Sequence, residues 1–164
     1  MAKKQEYRLQ ALLEIRKRTK EDKEQELGQC LQRLETEKDS LAGMKKKLEE
    51  MLQDRERRAK EYADKQMRGE MSAQAMTGAQ SYLKRLKESE AIQEELIRDQ
   101  ESVIRQRQDE VQAAREILLE ATQELKSLEK HKEKWEKKVK KERQAKEEQE
   151  QEQLAQAIFL NREK

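Results

Sequence analysis

Few residues in this chain could act on a substrate, and none of them has the company such chemistry needs. His131 is the single histidine and lies among lysines. It lacks both the further ligands that a metal requires and the neighbouring nucleophile that a general base would activate. Cys30 is the single cysteine, so it has no internal disulfide partner, and it reads as a small apolar residue near a helix seam. Carboxylates four apart, such as Glu120 and Glu124, recur because glutamate is abundant, and they carry no sign of a paired acid and base. Gly28, Gly43, Gly69 and Gly78 are too scattered to build a phosphate-cradling loop. Trp135 and Tyr62 fall at seam positions, where stacking on an opposite helix is the simpler role. The expectation is a protein that is no enzyme and holds neither metal nor cofactor.

The elements that carry these residues follow from composition. Only 33% of the chain is hydrophobic, 45% is charged, aromatics are 3% and proline is absent. Such a chain has little to bury in a globular core and nothing to break a helix, so it is either long helix or disorder. Lys plus Arg is 38 against 36 Asp plus Glu, a net charge of +2, and the interleaved signs argue against a nucleic-acid binder. The most basic stretch, Lys126 to Lys146, still carries Glu129, Glu133, Glu136 and Glu142 and reads as a solvated face. No apolar run is long enough for a signal peptide or a bilayer span, so direct membrane insertion is not expected and the location expected is cytosolic.

Apolar spacing decides between helix and disorder. From Leu27, apolar residues recur at Leu31, Leu34, Leu41, Leu48, Leu52, Ala59 and Tyr62 in steps of three and four, which is a coiled-coil seam. Its gaps are Lys38, Lys45 and Arg55, whose stems can lie along a seam while their charged heads reach water. Before it, Tyr7, Leu9, Leu12, Leu13 and Ile15 form a denser patch in a slightly different register. In the second half, Leu83, Ile97, Ile104, Val111, Leu118, Leu125 and Val139 hold one seven-residue series, broken only by Glu90 and Lys132. A companion series runs Leu86, Gln93, Gln100, Arg107, Ala114, Ala121, Leu128 and Trp135, and the narrow pair of lines suits a two-stranded packing.

Between these halves Arg68 to Gly78 is the least charged stretch and contains two glycines. Gly69 can end the first helix in a left-handed conformation, and Thr77 with Gln80 has capping-box spacing for the second. The fold expected is all-α, a single antiparallel coiled-coil hairpin over residues 1–164. Helix one covers about 5–68, the turn 69–78 and helix two about 79–160. At ~1.5 Å per residue the helices extend about 90 and about 120 Å. Folding back leaves a C-terminal overhang, Gln- and Glu-rich from Glu147, that closes with Leu154, Ile158, Phe159 and Leu160. Each seam can be satisfied inside the hairpin, so a monomer is expected.

Three segments carry a family likeness. They are Tyr7-Arg8-Leu9-Gln10-Ala11-Leu12-Leu13-Glu14-Ile15-Arg16, then Tyr82-Leu83-Lys84-Arg85-Leu86, and His131-Lys132-Glu133-Lys134-Trp135 running into Glu147-Glu148-Gln149-Glu150-Gln151-Glu152-Gln153. In their order and in the hairpin plan the chain resembles the FliJ/YscO (SctO) family, stalk subunits of flagellar and virulence type III export machines. The Glu-Gln-rich end is more like the virulence branch.

The resemblance implies that the paired helix ends enter the pore of a hexameric export ATPase and stimulate it. The residues expected there are Tyr7, Leu9, Leu12, Leu13, Ile15, Arg16, Arg143 and Lys146. It implies that the turn end meets the cytoplasmic linker of the membrane export gate through Tyr82, Leu86, Ser89 and Gln93, with Ser89 and Gln93 departing from the family's usual choices. It also implies escort of secretion chaperones and a cytoplasmic site beside the apparatus at the inner membrane. The heptads alone equally support a cytosolic coiled-coil tether unrelated to secretion.

Overall fold

The computed structural model describes residues 4–164; the first three residues of the expected hairpin lie outside the described ones. Two helices, α1 (Gln10–Met67) and α2 (Ala73–Arg162), pair as an antiparallel hairpin. Both run without interruption because no proline removes a backbone donor along their length. Among the described residues there is no strand.

The turn is shorter than its glycines and threonine suggest. Gly69, at φ +70°, closes α1, with its N–H donating to the Gln66 carbonyl (3.1 Å) and the Glu70 N–H to the Lys65 carbonyl (3.0 Å). This pair of bonds is a Schellman motif, and it needs the left-handed residue that glycine supplies without strain. The second helix begins six residues before the expected position, at Ala73. Its cap is Ser72, whose Oγ accepts the Ala75 N–H at 3.1 Å. Thr77 lies inside the helix and donates its hydroxyl to the Ala73 carbonyl (3.1 Å). Two alanines in the first turn let the helix propagate from the earlier cap, and Gly78 lies inside it.

Contacts divide the described residues into two compact units, Leu27–Ala114 and 4–26 with Arg115–Lys164. In the first, Leu34, Ile104 and Val111 form the buried cluster, with Leu27, Cys30 and Leu41 packed against it. Burying side chains of this size contributes about 1.5–3 kcal/mol each. In the second, Leu13, Ala121 and Leu125 are buried, together with Tyr7.

Both lines on α2 lie on the paired side as their spacing requires. On α1 the line through Leu27, Leu34, Leu41 and Leu48 does so too, but its companion is Cys30, Glu37, Met44 and Met51. Leu31, Lys38, Lys45 and Leu52 are exposed instead. Steps of four then three and of three then four share the same mean period. The leucines on the outer line therefore favour the wrong phase when α1 is read alone. Polar groups on α2 settle the phase: Gln93 Nε2 donates to the Met44 carbonyl (3.1 Å). Gln100 Nε2 donates to the Glu37 carbonyl (3.0 Å) and to its Oε2 (2.6 Å). Arg55 Nε donates to buried Glu90 at 2.7 Å. Among the described residues no buried side-chain polar atom is left without a partner. A register slip would strand these groups, at about 1–3 kcal/mol for each.

Candidate functional site

With two helices and convex surfaces, function has to reside in exposed faces, and three regions stand out. Among the described residues no group of three His, Cys, Asp or Glu side chains could hold a metal ion, and none of the described helices is long and apolar enough to cross a membrane.

The first region is the start of α1. Tyr7, 7% exposed, shares a hydrogen bond between its hydroxyl and His131 Nδ1 at 2.5 Å. Its ring lies 5.8 Å from that of His131 and 5.2 Å from that of Trp135, both tilted. The sole histidine and sole tryptophan thus meet a tyrosine 124 positions before the histidine. His131 is exposed but is not alone. Nothing local in either segment signals this contact, because it depends on where the antiparallel partner falls. Leu13, 2% exposed, is the most deeply buried side chain among the described residues. The expected partner-facing patch therefore splits. Tyr7 and Leu13 turn inward and Leu9 is half-buried, while Leu12 and Ile15 face solvent. Arg16 is half-buried and pairs with Glu124.

The second region is the far end of α2. Every residue from Lys140 to Lys164 is exposed, Arg143 and Lys146 included. Just before it, Glu133 and Lys137 pair one turn apart at 3.1 Å. Leu154, Ile158, Phe159 and Leu160 all remain open to solvent, and a shallow recess runs over Ala155, Gln156, Phe159 and Leu160. At about 100° per residue, Ile158 lies about 40° around the helix from Leu154, Phe159 about 140° and Leu160 about 240°. Apolar groups thus lie around the circumference of the tip, all of them exposed.

The third region follows the turn. Tyr82 is half-buried, with the Arg58 guanidinium 5.3 Å and the Arg85 guanidinium 5.8 Å from its ring centroid. Asp54 accepts from Arg57 (2.6 Å) and Arg58 (3.1 Å). Those bonds, that from Arg58 first, hold the Asp54 carboxyl below the usual carboxylate range, and Asp54 in turn raises Arg58. Four residues were expected to share one recognition face here, and they divide. Ser89 is exposed and Tyr82 is half-buried beside the seam, whereas Leu86 is half-buried in the seam and Gln93 is 5% exposed with its amide committed to α1. Their spacing of four, three and four places them on one side of the helix but does not say which half of that side α1 covers. Ile92 and Leu96, not singled out by spacing, are exposed in their place.

No curated protein matches the sequence. Among solved structures, a Chlamydia trachomatis protein described as a YscO homologue, CT670, superposes with a TM-score of 0.81 at 21% identity, over 98% of this chain and 99% of that one. At that identity the likeness establishes the hairpin fold. The family model described as YscO-like protein matches residues 4–164, which takes in all three regions, and the chain belongs to the YscO-like family.

Proposed function

We propose that this protein is the central stalk of a type III protein export apparatus, joining a hexameric export ATPase to the membrane export gate and working in the cytoplasm beside the inner membrane. One observation carries the reading. The C-terminal stretch of α2 is exposed on all sides from Lys140 onward and ends in a tip that is apolar around its circumference. Such a tip gains most from a partner that surrounds it, and a ring with a central pore is a partner of that kind. Family membership supports the type III setting.

One hairpin inside six similar subunits can touch only some of them at a time, which biases where hydrolysis occurs without any chemistry of its own. Leu12 and Ile15 are the N-terminal residues free to contribute, while Tyr7 and Leu13 hold the segment in place. Arg143 and Lys146 would steer insertion towards an acidic pore entrance. On the gate side, Tyr82 and Ser89 are available for contact, with Leu86 and Gln93 supporting them from the seam. Escort of secretion chaperones belongs to the same proposal.

The test is turnover of the cognate ATPase at low salt. The full chain should promote ring assembly and raise the rate, and a chain ending at Glu147 should not. An unchanged rate with the full chain would leave a coiled-coil tether unrelated to secretion as the better reading.

A further inference from the structure

Along the sequence, Lys126 to Lys146 mixes lysines with Glu129, Glu133, Glu136 and Glu142, but wound into α2 the two signs separate. At about 100° per residue, Lys126, Lys134, Lys137 and Lys141 all fall within about 40° of Lys130 around the helix. Glu133 lies about 60° from Lys130, and the other three carboxylates lie about 100° or more away. The five lysines are exposed, and among the described residues the one ion pair any of them makes is that of Lys137 with Glu133 (3.1 Å). The seam residues Leu125, Leu128, Trp135 and Val139 stand on the opposite side of α2. The lysines thus form a nearly straight row about 22 Å long that α1 leaves open. Leu119, 57% exposed, stands at its N-terminal end, and beyond Lys141 the row gives way to Glu148 and Glu152.

The row contains neither arginine nor an aromatic residue, so it lacks the groups that read a base edge by a paired hydrogen bond or stack on a base. Its ammonium groups act as point charges on a straight, convex ridge, which suits a flat sheet of negative charge. We propose that this face of α2, from Leu119 through the five lysines to Lys141, lies on the surface of an anionic phospholipid bilayer without spanning it. The attraction is electrostatic and fades with salt and with dilution of the anionic lipid. Leu119 adds one apolar side chain at the headgroup level. The contact needs neither an ATPase ring nor an export gate, and its failure leaves the stalk reading as it stands.

The experiment is co-sedimentation of the full chain with vesicles of phosphatidylglycerol and phosphatidylcholine, and with vesicles of phosphatidylcholine alone, at low and at high salt. Binding is expected to the mixed vesicles at low salt. Lys130→Gln with Lys134→Gln should weaken it about tenfold to thirtyfold. Lys46→Gln with Lys47→Gln, which removes the same charge from exposed positions on α1, should change it less than about twofold. Phe159→Ser should leave it unchanged, and circular dichroism confirms that each variant keeps its helices. Absence of binding to the mixed vesicles, equal binding to phosphatidylcholine alone, or equal loss from the two lysine pairs would overturn the proposal. Loss of binding with Phe159→Ser would assign the contact to the apolar tip and overturn it too. Duplex DNA that binds the chain more tightly than the mixed vesicles at equal phosphate would make the row a nucleic-acid site instead.

Discussion

Arg55 and Glu90 show how a narrow seam tolerates charge. Glu90 is buried and Arg55 mostly so, and their 2.7 Å contact compensates a carboxylate that would otherwise be desolvated without a partner. Arg55→Ala should therefore cost about 1–3 kcal/mol in urea unfolding, and replacing both residues by leucine should restore most of the loss. At Tyr7 the hydroxyl and the ring have separable roles. Tyr7→Phe should cost about 0.5–1.5 kcal/mol. Tyr7→Ala should cost more and shift the emission of Trp135, the sole tryptophan, towards that of a solvated indole. Asp54 makes a prediction in pH. Its folded-state value lies below its unfolded one, so the stability it lends is present above the ordinary carboxylate range and is lost as pH falls through that range towards the lowered value. Asp54→Asn should flatten that part of the acid limb in a thermal melt.

The two helices differ in what holds them. At the turn, Ser72→Ala should lower stability by about 1 kcal/mol because Ser72 carries the cap, whereas Thr77→Ala should change little. Thermal melts of the two variants decide between the observed start of α2 and the later one that the capping-box spacing suggests. Among the described residues the C-terminal stretch of α2 is exposed throughout from Lys140, so removing residues 148–164 should reduce the helical circular-dichroism signal while leaving the melting midpoint in place. A fall of several degrees would mean that the tip packs back on the protein. Spacing alone was enough to identify both lines of α2, because its buried residues recur for many heptads. It misled on the companion line of α1, where the leucines occupy the exposed phase and the residues facing α2 are a cysteine, a glutamate and two methionines.

For the molecule as a whole, each helix spends its seam on the other, and sedimentation equilibrium should return the 19.6 kDa of one chain; a doubled mass would show that the exposed apolar tip pairs copies. What the sequence by itself determined is what depends on period and composition. Absent proline and sparse apolar content exclude a globular core, heptads impose helices, Gly69 ends the first, and the residue order carries the family likeness. Tertiary structure decided what depends on which side of a helix its partner covers. That choice turned Tyr7, Leu13 and Gln93 inward, left Leu12, Ile15, Ile92 and Leu96 outward, and brought His131 to Tyr7. The physical reason is that a helical period defines a stripe only to within about one residue. Hydrogen bonds across the seam, from Gln93 to Met44 and from Gln100 to Glu37, select one phase, and their acceptors lie on the other helix, far away in the chain.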